Sequence, residues 1–263
     1  MFDFHKDKKL YFQIQYQISK DSIIPFVMAH LKNEQNLKIL EIGCAEAGVL
    51  KAFTDLGHQC TGIELSESRI ETAKSFFEDE LKSGQIDFIV KDIYDIDPLR
   101  DLKHKYDLVI LKDVIEHIHD QKKFIAKLQD FINPCGIIFF AFPPWYMPYG
   151  GHQQMAVNKI ASILPYYHIL PKPLYKLCLK IFGEDEKKIS DLLEIKETGI
   201  SIERFQKVIR NSGFKIITKK FYLINPIYKY KFNIKEVEQF NLISKLYLVR
   251  NFFSSSAYYI IGI

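Results

Sequence analysis

Cysteine is scarce in this sequence: four residues in 263, at positions 44, 60, 135 and 178, with no Cys-x-x-Cys pair and no Cys/His ligand pattern. That scatter excludes a disulfide scaffold and a cysteine-bound zinc, and predicts four free thiols in a reducing compartment. Long apolar runs are missing too, so no segment reaches the roughly 20 residues of a membrane span. Met1–Lys20 is too charged for a secretory signal, which points to a cytoplasmic protein. Charge of one sign is also lacking: 36 Lys and Arg stand against 32 Asp and Glu, a net +4, with acids interspersed through most of the chain. No basic stripe of the nucleic-acid-binding kind results, and nucleic acid is not an expected partner. Lysines gather only late, at Lys215, Lys219, Lys220, Lys229, Lys231 and Lys235, as a solvated face or a meeting place for an anion. Repeats and low-complexity tracts are absent.

What is present is an ordinary globular composition, 48% hydrophobic and 26% charged, with a high aromatic share of 14%. Short apolar runs alternate with amphipathic stretches in the first half, the signature of βαβ units and a parallel sheet. Strands are predicted at 38–44, 59–65, 86–92, 106–113 and 137–142, with helices over 47–56, 67–81 and 119–132. An N-terminal helix over 10–31 precedes them. Residues 145–198, rich in proline and tyrosine, break the rhythm and read as a helical insertion above the sheet. A helix over 201–212, with Ser201 as N-cap and Gly213 after its end, leads to strands at 214–223 and 256–263. The expectation is one α/β domain in four parts: an N-terminal helical segment (1–35), a core (36–144), the insertion (145–198), and a closing helix and strand pair (199–263).

The first strand ends in Glu41-Ile-Gly43-Cys44-Ala45-Glu-Ala47-Gly48. A tight turn of small residues between strand and helix brings backbone amides close to a ligand. Glu64 closes the second strand about twenty residues later, where a carboxylate can take ribose hydroxyls. Asp92 closes the third. All three ends face the carboxyl edge of the sheet, where open α/β sheets bind ligands. Nicotinamide enzymes share the glycine turn and the Glu, but no Tyr-x-x-x-Lys pattern follows.

These residues resemble the class I S-adenosylmethionine-dependent methyltransferases: ILEIGCAEAG at 39–48, TGIEL at 61–65, KDIYD at 91–95 and YDLVILKDVIEHI at 106–118, in the family's order over the first 140 or so residues. The Asp113-x-x-Glu116-His117 run is similar to that of the small-molecule methyltransferases in particular. The resemblance implies a Rossmann-like, seven-stranded, mostly parallel sheet with an antiparallel last strand and helices on both faces. It implies S-adenosylmethionine as cofactor, with Glu41, Gly43, Cys44, Ala45, Gly48, Glu64, Leu65, Asp92, Ile93, Lys112 and Asp113 around it. Glu41 would orient the amino group through water, Glu64 hold the ribose, Leu65 and Ile93 flank the adenine, Asp92 accept from the adenine amino group, and the Lys112 carbonyl meet the ammonium. Ala45 and Ala47 replace glycines of the family's turn, which predicts a slightly reshaped turn.

A methyl acceptor at oxygen or nitrogen gains from a base, and histidine is the natural one. His117 follows the fourth strand. His152, in a Gly-Gly-His-Gln-Gln loop after the fifth, sits among Trp145, Tyr146, Tyr149 and Gln153, a substrate-facing group. His117 and His152 are the candidate catalytic residues; His58, His104 and His119 read as surface residues. No metal site is expected, because only Glu116, His117 and His119 have compact ligand spacing. The acceptor is expected to be a small molecule, with an apolar or lipid-like one and peripheral membrane contact within range of the insertion's leucines, aromatics and lysines. Methylation of RNA or protein, and a non-catalytic binding protein on the same fold, stay open, as does the oligomeric state.

Overall fold

A computed structural model describes residues 7–32 and 34–263; the first six residues of the expected N-terminal segment lie outside them. Eight strands form one sheet: β1 (Lys38–Ile42), β2 (Gln59–Glu64), β3 (Ile86–Val90), β4 (Tyr106–Lys112), β5 (Ile132–Phe142), β6 (Lys215–Ile224), β7 (Val237–Glu238) and β8 (Ser256–Gly262). Their order is β3-β2-β1-β4-β5-β8-β6-β7. Strands β1 to β5 pair in parallel, and β8 runs antiparallel between β5 and β6. The eighth strand corrects the expected count of seven. It is the two-residue β7 on the edge of β6, too short to show an alternating pattern.

Burial on both faces explains the apolar runs. Leu40, Val109, Leu111, Phe140 and Tyr259 point into one core, which the helices Gln121–Lys127 and Ile202–Asn211 cover. Ile39, Leu108, Ile110, Phe139 and Tyr258 point into the other, beneath Gly48–Thr54 and the N-terminal helices Lys8–Ile18 and Ile24–Met28. Burial of each such side chain contributes about 1.5–3 kcal/mol.

Three elements depart from the periodicity. The helix expected over 67–81 splits into Glu67–Lys74 and Glu78–Ser83. Neighbouring side chains on a helix point about 100° apart. The break lets both Phe76 and Phe77 turn inward, Phe76 stacking on Phe12 at 4.3 Å and Phe77 meeting Phe88 at 5.7 Å. Strand β5 starts at Ile132 rather than 137, because a bulge opposite Tyr106–Leu108 accommodates Pro134. Asn133 Nδ2 donates to Asp107 Oδ1 there at 2.8 Å. The third departure is the N-terminal helix, which widens to a π-turn over Ser19–Ile23. Ser201 caps its helix by accepting from Arg204 N, as expected. His58 is buried, not superficial: its Nδ1 accepts from Leu37 N at 3.4 Å.

Residues 145–198 fold into short helices, chiefly Lys159–Ile163, Lys172–Ile181 and Glu186–Thr198, around a small core of Tyr167, Tyr175, Leu179, Ile189 and Leu192. Among the described residues no helix is long and apolar enough to cross a membrane. The four cysteines are free.

Candidate functional site

Strand β1 leaves the sheet at Gly43, whose φ of +71° only glycine adopts without strain. The Gly43 and Cys44 amides donate to Ile63 O, which ties the turn to β2. Ala45 and Ala47 keep the left-handed conformation at φ +51° and +62°, at a cost of about 1–2 kcal/mol each. The Ala45 amide donates to Glu64 Oε2 at 2.9 Å and the Ser66 amide to Glu64 Oε1 at 3.0 Å, so the strand-end carboxylate is held rather than loose. Asp92 is held likewise, its Oδ1 accepting from Tyr94 N at 2.8 Å. Gly43, Glu64, Leu65, Asp92, Ile93, Tyr94 and His117 line a cavity of about 520 Å³. Leu65 is 69% exposed, an apolar flank at the cavity's side.

A second, narrower cavity of about 90 Å³ continues from Gly43 and is lined by Glu41, Cys44, Ala45, Gly48, Lys112 and Asp113. Tyr11, Gln15 and Arg69 complete it. Burial pushes the Glu41 carboxyl well above the usual range, with Lys112 opposing, and its Oε2 has no hydrogen-bond partner. Burial alone would lower the Lys112 ammonium; the adjoining Asp113, with which it forms an ion pair, outweighs that and holds it above its ordinary value. Burial likewise raises the Cys44 thiol, which is therefore a packing group and no nucleophile. Gly48 serves a neighbouring helix: a Cβ there would stand 2.3 Å from Phe12 O. Tyr11 carries no sequence signal, since only the docking of the helix Lys8–Ile18 brings it here.

A third cavity of about 440 Å³ joins the second through Tyr11, Arg69 and Asp113, and the first through His117. Glu116, His117, Tyr149, His152, Tyr228 and Lys231 are among its walls. The His117 and His152 rings lie 5.1 Å apart. Gly150 and Gly151 make the approach of His152 possible, because a Cβ on either would collide with Trp145 O or the His168 side chain. Burial lowers the pKa of His117. Burial, reinforced by Lys112, brings Lys231 down to about 8. The other late lysines do not form one patch: Lys229 pairs with Asp21 and Lys220 with Glu238.

Trp145, Tyr146 and Gln153, grouped by the sequence with the substrate, do not line these cavities. Trp145 packs edge-on to His168 at 4.7 Å, and Tyr146 stacks on Phe252 at 5.5 Å. Gln153 is fully buried and donates to Pro148 O and His168 Nδ1. The three brace the loop from behind, while Tyr149 and His152 face inward. His119 and Glu194, 3.1 Å apart, stand together on the wall of the first cavity.

A model of the methyltransferase domain matches residues 13–173, more than half of the chain. A ubiquinone biosynthesis O-methyltransferase of Rhodopseudomonas palustris is 31% identical over 105 residues, 40% of this chain and 39% of that protein. One from Rickettsia canadensis is 31% identical over 122 residues, 46% and 48% of the two chains. The chain thus spans about two fifths to a half of the curated relatives it matches. The plantazolicin methyltransferase solved with SAH superimposes with a TM-score of 0.55 at 12% identity, covering 97% of this chain and 84% of that one. At such identity the superposition speaks for the fold.

Proposed function

The chain belongs to the methyltransferase-domain family, and on that premise we propose that it is a cytoplasmic enzyme transferring the methyl group of S-adenosylmethionine to a small-molecule acceptor. The observation that carries this reading is the convergence of three strand ends, Gly43, Glu64 and Asp92, on one cavity that opens toward two histidines.

The residues fit such a cofactor. Glu64, fixed by two backbone amides, suits the ribose; Asp92 suits the adenine amino group, between Leu65 and Ile93. The narrow cavity suits the methionine part: the partnerless Glu41 oxygen is an acceptor for its amine, directly or through water, beside the Lys112 carbonyl. When bound, the cofactor supplies an electrophilic methyl group on a positively charged sulfur. The chain's own task is to place the acceptor and exclude water, and positioning alone can contribute about 7–11 kcal/mol. His117 and His152 stand where an acceptor oxygen or nitrogen must lose its proton, as bases or as groups that make that atom more acidic. The insertion acts as a lid on this cavity through Met147, Tyr149, Gln154 and Met155, with its helices beyond that loop. These helices turn Leu174, Leu177 and Ile181 outward, which suits an apolar or lipid-like acceptor delivered from a membrane surface.

Calorimetric titration with S-adenosylmethionine, its demethylated product and NAD tests the reading. The first two should bind, and Glu64→Ala should weaken them about 10–100-fold, since hydrogen bonds to a charged group contribute about 1.5–3 kcal/mol. Binding of NAD alone would overturn it.

A further inference from the structure

We infer that Lys231 takes the proton that the acceptor loses on methylation, its Nζ standing where the third cavity meets the second. The role rests on the methyl-transfer reading and deepens it. His117 and His152 keep the other of their two roles, as hydrogen-bond partners that make the acceptor atom more acidic.

The position of Lys231 follows from a short helix fastened on its far side. Residues three apart on a helix share a face, and in Tyr228–Phe232 both Tyr228 and Lys231 line the third cavity. The pair between them turns the other way: Lys229 Nζ stands 2.9 Å from Asp21 Oδ2, and the Tyr230 hydroxyl donates to the same carboxylate. Ile227, just before the helix, packs on Ile14 and Ile18. Lys231 is thereby half-buried, with its Nζ 5.8 Å from the centre of the Tyr11 ring. Its charge also bears on Asp113. Tyr11 and Asp113 belong to the walls of both the second and the third cavity. The ammonium therefore faces the passage through which a methyl group must reach its acceptor.

A base for this step works best with a pKa near the working pH, and lysines reach that range by burial beside another cation. Lys231 meets both conditions: burial and Lys112 bring it down to about 8, with Asp113 opposing. The groups around it are poorer bases. Burial raises the Tyr11 and Tyr228 hydroxyls, which stay neutral phenols, and lowers His117. A positive charge about 7 Å from an ammonium favours loss of its proton about tenfold or more. With a positively charged sulfur in the passage, Lys231 is therefore mostly a neutral amine. That amine takes the acceptor's proton, the electron pair of the broken O–H or N–H bond stays on the acceptor atom, and the proton later passes to water.

Proton release on cofactor binding reads this role without an acceptor. Calorimetric titrations of the full chain at about pH 7.5, in phosphate and in Tris, count the protons from the two buffers' different ionisation enthalpies. S-adenosylmethionine should release about half a proton per site, because a tenfold change from a pKa of about 8 takes the charged fraction from about three quarters to about one quarter. The demethylated product, with an uncharged sulfur, should release almost none. Lys231→Met should abolish the difference while both ligands still bind. Lys231→Arg, permanently charged, should abolish it too and weaken S-adenosylmethionine relative to the product about tenfold. Melting temperatures check that both variants fold. Equal release with the two ligands, or a difference that survives Lys231→Met, overturns the role of Lys231 and leaves the methyl-transfer reading standing. Binding of neither ligand overturns both.

Discussion

Ala45 carries a methyl group in a backbone conformation that glycine adopts freely, and its amide holds Glu64. Relief of about 1–2 kcal/mol of strain exceeds the 0.5–1 kcal/mol of extra chain entropy that glycine loses on folding. Ala45→Gly is therefore expected to raise the melting temperature by about 1–4 °C, measured by calorimetry; a lower melting temperature would mean that the alanine methyl packs usefully. Single residues were legible where a strand ended. Gly43, Glu64 and Asp92 each follow an apolar run, so their common edge could be inferred from order alone. The meeting of Glu116 with His152 could not, because nothing local links the turn after β4 to the loop after β5. Trp145 and Gln153 show the converse: both stand beside inward-facing residues in sequence, yet the alternate side of the loop turns them to His168.

Helices matter here for what they press into the site. The helix Lys8–Ile18 brings Tyr11 to the narrow cavity only because Gly48 leaves room for Phe12. Gly48→Ala should cost about 1–3 kcal/mol by overpacking and, by displacing Tyr11, weaken binding of the demethylated cofactor product; urea titration and calorimetry check both. In the insertion, His168 Nε2 donates to Trp145 O while Nδ1 accepts from Gln153, which fixes one neutral tautomer. Burial lowers its pKa to about 4. The folded state then binds fewer protons than the unfolded one between about pH 4 and 6.5. The stabilisation, at most about 3 kcal/mol, is complete above pH 6.5 and drains away as pH falls toward 4. Melting curves from pH 7.5 to 5 should fall more steeply for the parent than for His168→Gln; equal slopes would exclude this role. Amphipathic period located the helix Ile202–Asn211 and its cap. It overran at Phe76-Phe77 because two adjacent aromatics both needed a core.

Across the whole molecule, the alternation of strands and helices pointed to the parallel half of the sheet, and the family resemblance, not the strand pattern, implied the antiparallel strand. The eighth strand lay below the resolution of any pattern, since Val237 and Glu238 become a strand only because β6 offers them an edge. The place of β8 has a further consequence for how the chain comes together. Strands β1 to β5 are consecutive in sequence, although not always neighbours in space, and each can find its place as it leaves the ribosome. Strand β6 cannot. Its seat is on β8, and β8 docks on β5 across the whole of residues 143–255. Until that late segment is synthesised, Phe139 and Phe140 stand at an open sheet edge. Closure of so long a loop is the slow step expected of non-local pairing, and for its duration the apolar edge of β5 stands uncovered.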